Sequence, residues 1–229
     1  MKNYAIITAA GAGSRLPGAV AKQYRPVGSK PILAWTIERF EQASCIDAIH
    51  LVVAGNDLNY AYESIVARHG FKKVERIVAG GKTRFDSILC GLRSVPENAN
   101  LVFIHDGVRP LVSVQEIEAV GREAEAHDAA ILATHQTETL KRVEDGFVIA
   151  TLDRDKIWVA QTPQVFKYEA IISAYIQALE SNRTFTDDAS VCEAFGIGVR
   201  VVEGSSVNIK ITTPEDLELA RRLLVGTAT

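Results

Sequence analysis

Short apolar runs alternate with helically patterned stretches along most of this chain, and that alternation limits its possible folds more than any other feature. Tyr4-Ala5-Ile6-Ile7-Thr8 is rich in isoleucine and carries no charge, as a strand buried on both faces does. Leu33, Ile37 and Phe40 then recur at helical spacing. Residues 48–53 read as a second strand and 60–69 as a helix. Residues 74–78 make a third strand, closed by Ala79-Gly80-Gly81, and 84–95 a helix with Ile88, Leu89 and Leu92 on one face. Leu101-Val102-Phe103-Ile104 is a fourth strand that ends in His105-Asp106-Gly107. A helix over 114–126 and a fifth strand over 129–133 continue the series. Repetition of this kind predicts an α/β fold, a mostly parallel Rossmann-like sheet with helices on both faces. Ligands of such sheets sit beyond the carboxyl ends of the strands, near the point where strand order reverses. The glycine-bearing turns named so far share that address.

The pattern changes at residue 136. Leu140, Arg142 and Glu144, then Phe147, Ile149 and Thr151, flank Asp145-Gly146, a strong hairpin signal. A two-stranded hairpin is marginal alone and must lie on something, for which a partner subunit is the economical choice. The expected organisation is one domain over 1–229 with 136–154 as a protruding β-arm. Residues 171–179 read as a helix, and the Thr186-Asp187-Asp188 cluster as a helix start. Residues 199–202 form a further strand. Thr213-Pro214-Glu215-Asp216 opens the last helix with a capping threonine, proline at the first position and acids in the first turn.

The segment Ala9-Ala10-Gly11-Ala12-Gly13-Ser14-Arg15-Leu16 leaves the first strand as a long loop. Gly11 and Gly13 lack a Cβ, so the backbone can turn tightly and bring its N–H groups against an anion. Arg15 and Lys22 supply charge. Leu16 stands where the dinucleotide fingerprint needs a third glycine, and Pro17, Gly18 and Pro26 keep the chain irregular, which speaks against a nicotinamide dehydrogenase. The loop suits a triphosphate better than a pyrophosphate laid on a helix end. A net charge of −3 argues against a broad nucleic-acid surface. No apolar run reaches membrane-spanning length. Cys45, Cys90 and Cys192 offer neither disulfide nor metal spacing and read as reduced thiols of a cytoplasmic protein.

Among residues able to do chemistry, Asp106 closes a buried strand, where a carboxylate can hold a divalent cation against phosphate oxygens. With Arg109 it reads equally as a structural pair. Arg84 and Ser87 are either helix-start polars or readers of a nucleobase. Lys210, between Ile209 and Ile211, reads by itself as a surface lysine. His105 receives no role. No Ser–His–Asp or Cys–His pattern is present, so the available parts favour binding and electrostatics around phosphates.

These blocks, together with Lys22-Gln23-Tyr24, Thr139-Leu140-Lys141, Asp153-Arg154, Gln161-Thr162-Pro163-Gln164 and Asn208-Ile209-Lys210-Ile211-Thr212, occur in order over nearly the whole chain. The chain resembles the 2-C-methyl-D-erythritol 4-phosphate cytidylyltransferases of the non-mevalonate isoprenoid pathway. The resemblance implies transfer of CMP from CTP to methylerythritol phosphate in a homodimer that exchanges its hairpin arms. It implies CTP held by Ala9, Ala10, Gly11, Ala12, Gly13, Gly80 and Ser87, with Arg15, Lys22 and Lys210 as catalytic cations around the α-phosphate. Asp106 would place Mg²⁺ and the ribose side. Arg109, Thr139, Arg154 and Thr186 would bind substrate, Thr139 and Arg154 from the partner's arm. Ala21 stands where the family usually has proline, Glu138-Thr139 where the arm usually reads Asp-Thr, and Thr134-His135-Gln136 where proline is commoner. These departures bear on the acceptor more than on the nucleotide. Ribitol 5-phosphate is the rival acceptor, against which the basic Thr139-Leu140-Lys141-Arg142 run speaks. An inactive CTP-binding regulator is disfavoured by Arg15, Lys22, Asp106 and Lys210 occurring together.

Overall fold

Tyr4–Ala9 forms β1, and its alternation sends Ala5, Ile7 and Ala9 into one apolar layer and Tyr4 and Ile6 into the other. A strand covered on both sides has to be apolar throughout, which is why it stands out in the sequence. The computed structural model describes residues 1–11, 20–181 and 183–226. After β1, the short strands β2 (Pro26–Val27) and β3 (Lys30–Pro31) pair antiparallel ahead of α1 (Ile32–Gln42). β4 (Ala48–Val53) leads into α2 (Leu58–Tyr60), which continues as a π-helical stretch at Ala61–Ala67. Then come β5 (Val74–Ala79), α3 (Arg84–Ser94), β6 (Leu101–Asp106), α4 (Val114–His127) and β7 (Ala129–His135). A hairpin of β8 (Lys141–Glu144) and β9 (Phe147–Thr151) precedes β10 (Trp158–Lys167) and α5 (Tyr168–Glu180). α6 (Asp188–Ala194), β11 (Arg200–Glu203) and α7 (Pro214–Val225) complete the chain.

Seven strands form the central sheet in the order β11-β7-β10-β6-β1-β4-β5. β1 pairs parallel with β4 on one side and with β6 on the other. The chain therefore runs outward from β1 through β4 and β5, then returns to β6 across β1, and strand order reverses between β1 and β6. The register there sets Thr8 beside Asp106. Residues of α1 and α4 pack with Ala5, Ile7 and Phe103 on one face; α3 and α5 pack with Ile6, Val102 and Phe166 on the other. A smaller cluster of Val27, Ile32, Val108, Ile211 and Ala220 fastens α7 beside the sheet. None of the described helices is long and apolar enough to cross a membrane.

The sheet departs from expectation in three places, one of them β7, which runs on to His135 instead of stopping at residue 133. The fourth strand takes in His105 and Asp106 as its last residues instead of ending before them. β10, which the sequence pattern did not suggest, runs antiparallel between β6 and β7. Its middle is Gln161-Thr162-Pro163-Gln164, and the ladder to β7 breaks between Ala160 and Gln164. Proline cannot donate to a ladder, so a central strand accommodates it where pairing is already interrupted.

Candidate active site

The carboxyl ends of β1 and β6 open into a cavity of about 380 Å³, a size in the range of small-molecule sites. Thr8, Ala9, Ala10 and Gly11 form one wall, and residues 81–84 with Ser87 form the facing wall. Their close approach depends on glycine. A Cβ on Gly80 would lie 2.6 Å from the Ala10 Cβ and 2.8 Å from the Ser87 Oγ. One on Gly81 would lie 2.3 Å from the Asp86 Cβ. Thr83 caps α3: its hydroxyl accepts from Asp86 N–H at 3.1 Å, and its own N–H donates to the Asp86 carboxylate at 3.0 Å. Ser87 Oγ accepts from Gly81 N–H at 3.1 Å and donates to the Thr83 carbonyl at 2.9 Å. The positive end of α3 therefore faces the cavity.

Lys22 reaches the same cavity from a 3-10 turn at Lys22–Tyr24. The turn is clasped to β1 by Gln23, whose buried amide donates to the Ala9 carbonyl at 2.8 Å, and Tyr24 packs edge-on against Tyr60. Lys210 arrives from a loop, not a strand. Asn208 anchors that loop, its buried Nδ2 donating to Gln161 Oε1 at 3.2 Å and to the Thr162 carbonyl at 3.0 Å. Ile211 is buried beside it. Lys22, Lys82, Arg84 and Lys210 thus share a wall on which Asp106 is the sole carboxylate among the described residues. A polyanion is the ligand such a surface favours.

Asp106 is the centre of this arrangement. Its Oδ2 lies 2.9 Å from Lys210 Nζ and 3.5 Å from Arg109 Nε, and its Oδ1 lies 3.7 Å from Arg84 Nε. Burial alone would raise its pKa, but Lys210, Arg84 and Arg109 outweigh that and hold the carboxyl well below the usual carboxylate range. Behind it, Thr162 Oγ1 accepts from Asp106 N–H at 3.1 Å, which turns the hydroxyl proton toward His105 Nδ1 at 3.0 Å. His105 Nε2–H then donates to the Arg109 carbonyl at 3.1 Å. Burial pushes this histidine down to about 4, so it stands neutral behind the site. No cluster of three or more His, Cys, Asp or Glu groups suits a metal among the described residues. Asp106 alone can take up a hard divalent cation only in company with ligand oxygens.

Of the residues singled out from sequence, Ala9, Ala10, Gly11, Lys22, Ser87, Asp106 and Lys210 lie on one cavity wall system, and Gly80 sits just behind it. Ala12, Gly13 and Arg15 fall outside the described residues. Arg109 is not on the wall; it backs Asp106 and donates to the Asn208 carbonyl at 2.7 Å. Thr139, Arg154 and Thr186 are exposed and away from the cavity lining of their own chain. Arg154 bonds the Thr137 carbonyl at 2.9 Å, at the root of the hairpin.

A family model for 2-C-methyl-D-erythritol 4-phosphate cytidylyltransferase, IspD, matches residues 4–225. The chain belongs to the IspD family. The 2-C-methyl-D-erythritol 4-phosphate cytidylyltransferase of Geobacter metallireducens is 42% identical over 227 residues, spanning 98% of each chain. A bifunctional IspD/IspF enzyme of Desulforudis audaxviator is 44% identical over 223 residues, covering 97% of this chain but 56% of that one, so this chain spans just over half of that relative. Among solved structures, the 4-diphosphocytidyl-2C-methyl-D-erythritol synthase of Anaerococcus prevotii superposes with a TM-score of 0.86 at 33% identity, covering 98% of each chain. The IspD blocks in the sequence include Gln161-Thr162-Pro163-Gln164, but residue patterning gave these four no task. In the fold each polar side chain holds a different part of the site. Gln161 binds the Ser205 carbonyl and Asn208, Thr162 binds Asp106 and His105, and Gln164 binds the start of α6. Two glutamines and a threonine around a proline, flanked by the apolar pairs Val159-Ala160 and Val165-Phe166, were the available signal.

Proposed function

We propose that this chain transfers CMP from CTP to 2-C-methyl-D-erythritol 4-phosphate and releases pyrophosphate, the step its family contributes to isoprenoid precursor synthesis. The observation that carries the reading is the meeting of Lys22 and Lys210, from opposite ends of the sequence, with Asp106 around one cavity at the strand-order reversal. CTP enters with its base between Ala9–Gly11 and the Gly80–Ser87 side and its phosphates toward the lysines. Arg15, with Ala12 and Gly13, joins on the sequence pattern alone. An oxygen of the acceptor's phosphate attacks the α-phosphorus, the bond from that phosphorus to the bridging oxygen breaks, and the electron pair leaves on pyrophosphate. The attacking group is already an anion, so no general base is needed. What opposes the step is repulsion between two polyanions and the charge spread at phosphorus, which fixed cations offset. Asp106 fits a Mg²⁺ that arrives with the nucleotide, since one carboxylate plus phosphate oxygens is a donor set that ion accepts. When bound, the ion would neutralise phosphate charge.

Lys210 and Asp106 pair at 2.9 Å, so phosphate binding frees a carboxylate as it recruits a lysine. Thr139 and Arg154 reach the acceptor from the 136–154 arm of a second copy, with Thr186 on the acceptor side of the pocket's own chain and Arg109 serving the substrate from behind Asp106. Exposed apolar side chains on the hairpin support that arrangement, with Phe147 76% and Val148 61% exposed. The three cysteines are unpaired, which suits the reducing cytoplasm. Pyrophosphate release from CTP and Mg²⁺ tests the reading, with methylerythritol phosphate and ribitol 5-phosphate compared as acceptors. Methylerythritol phosphate is the faster, and Lys22→Ala lowers its turnover by roughly 10- to 100-fold, the worth of one charge-assisted contact. Preference for ribitol 5-phosphate, or no release with either, would overturn it.

A further inference from the structure

Asp188 is fully buried and its carboxylate is spent on two side chains. Arg84 donates from Nη1 to Oδ1 at 3.0 Å and from Nη2 to Oδ2 at 2.7 Å, a fork that fixes both direction and distance. Tyr175 donates its hydroxyl to the same Oδ1 at 2.5 Å, and its ring stacks on Phe85 with centroids 4.5 Å apart. The Asp188 N–H is itself held by Gln164 Oε1 at 3.0 Å, and the neighbouring Asp187 caps α6. Four elements, α3, α5, α6 and β10, therefore agree on where this carboxylate stands. A buried ion pair is weak evidence for stability, because apolar side chains of similar volume often serve as well. The orientation of this one points elsewhere. With one N–H of each Nη directed at Asp188, the guanidinium is left with Nε toward Asp106 Oδ1 at 3.7 Å on the cavity wall.

We propose that Asp188, backed by Tyr175, is a positioning residue for the transfer: it holds Arg84 as a fixed cation beside Asp106. The proposal rests on the function argued above, in which Lys210 leaves Asp106 for the nucleotide's phosphate. At that moment Asp106 loses the nearest of its three cations. Arg109 remains on Oδ2 and Arg84 on Oδ1, so the carboxylate keeps its charge and its direction while the lysine works elsewhere. An arginine without a second carboxylate could not do this. It would be drawn to the phosphates or close a full pair with Asp106. Asp188 anchors each Nη by one N–H and so holds the guanidinium against either movement.

A double-mutant cycle between Arg84→Gln and Asp188→Asn tests it, read as kcat and KM for pyrophosphate release and, separately, as CTP affinity by calorimetry with Mg²⁺. Asp188→Asn lowers kcat by about 10- to 100-fold, as loss of a charged hydrogen-bonding partner does. In the Arg84→Gln background the same change adds less than about twofold, because the side chain it positions is gone. CTP affinity shows the same non-additivity. Tyr175→Phe goes through the same cycle with smaller effects; it removes one hydrogen bond and carries the test should Asp188→Asn fail to fold. Full additivity in both readouts, or wild-type kcat in Asp188→Asn or Tyr175→Phe, overturns the proposal. A wild-type protein that binds CTP but releases no pyrophosphate overturns the transfer reading instead, and the coupling is then still read from CTP affinity.

Discussion

His105 shows what a single residue contributes without touching a ligand. Its ring is sealed between the Thr162 hydroxyl and the Arg109 carbonyl and leans on Phe40, with ring centroids 4.8 Å apart. Burial lowers it to about 4, and His50, also buried and near Arg76, is lowered to about 4 as well. Both are neutral in the native protein, while a histidine in the unfolded chain titrates near 6.5. The native form thus binds fewer protons than the unfolded form between those values. Stability from this source is complete above about pH 6.5 and is lost as pH falls toward 4. Each histidine contributes a slope of about 1.4 kcal/mol per pH unit, and two acting together give roughly twice that. Urea unfolding in steps between pH 7 and about pH 4.5 measures the slope, and a flat dependence across that window would show the two rings to be accessible. Asp106 does not enter there. Its carboxyl is held well below the ordinary range by three cations, so its share fails only at still lower pH.

At the scale of elements, legibility followed burial of apolar residues. β1, β4 and β6 are covered on both faces, and their apolar runs in the sequence match the strands to within one or two residues. The turns after β5 and β6 were legible because glycine there has a steric purpose: a Cβ on Gly80, Gly81 or Gly107 would lie within 3 Å of a neighbouring atom. Gly81→Ala makes this testable. Its new Cβ would meet Asp86, the residue that closes the cap of α3, and no flexible side-chain end is there to yield. The variant is expected to lose about 1–2 kcal/mol of stability with the cap and to bind CTP more weakly, as urea unfolding and CTP titration would report. Unchanged values in both would mean that the start of α3 moves freely. β10 was illegible for the opposite reason. Gln161, Thr162 and Gln164 are buried, yet polar letters around a proline read as a loop. Their burial is tolerable because each finds partners on the segments that carry Asp106, Lys210 and Asp188: the end of β6, the loop through Asn208 and the start of α6. Such partnerships join residues far apart in sequence, and no local pattern announces them. The same holds for Arg84, which periodicity left undecided until Asp188 was found across the α3–α6 junction.

The whole molecule raises the question of what the hairpin is for. β8 and β9 pair only with each other among the described strands, and Phe147, Val148 and Ile149 on β9 are exposed. An isolated two-stranded ribbon with an apolar surface is marginal in water. A two-fold dimer answers this, because a single self-complementary contact would cover both arms and carry each Arg154 toward the other copy's cavity. Complementation decides between this and an arm that serves its own chain. Lys210→Ala damages the cavity, Arg154→Ala damages the arm, and each alone is expected to lose most activity. In a mixed dimer with exchanged arms, one site collects both lesions and the other collects neither. Random reassociation makes half of the dimers mixed, with one intact site of two, so about a quarter of wild-type pyrophosphate release returns on mixing. If each arm folded onto its own cavity, every site would keep one lesion and mixing would restore nothing. The two outcomes differ by far more than the scatter of an assay. Sedimentation of the same samples shows whether dimers formed at all. A monomer throughout would remove the dimer proposal and leave Thr139 and Arg154 without a route to the acceptor.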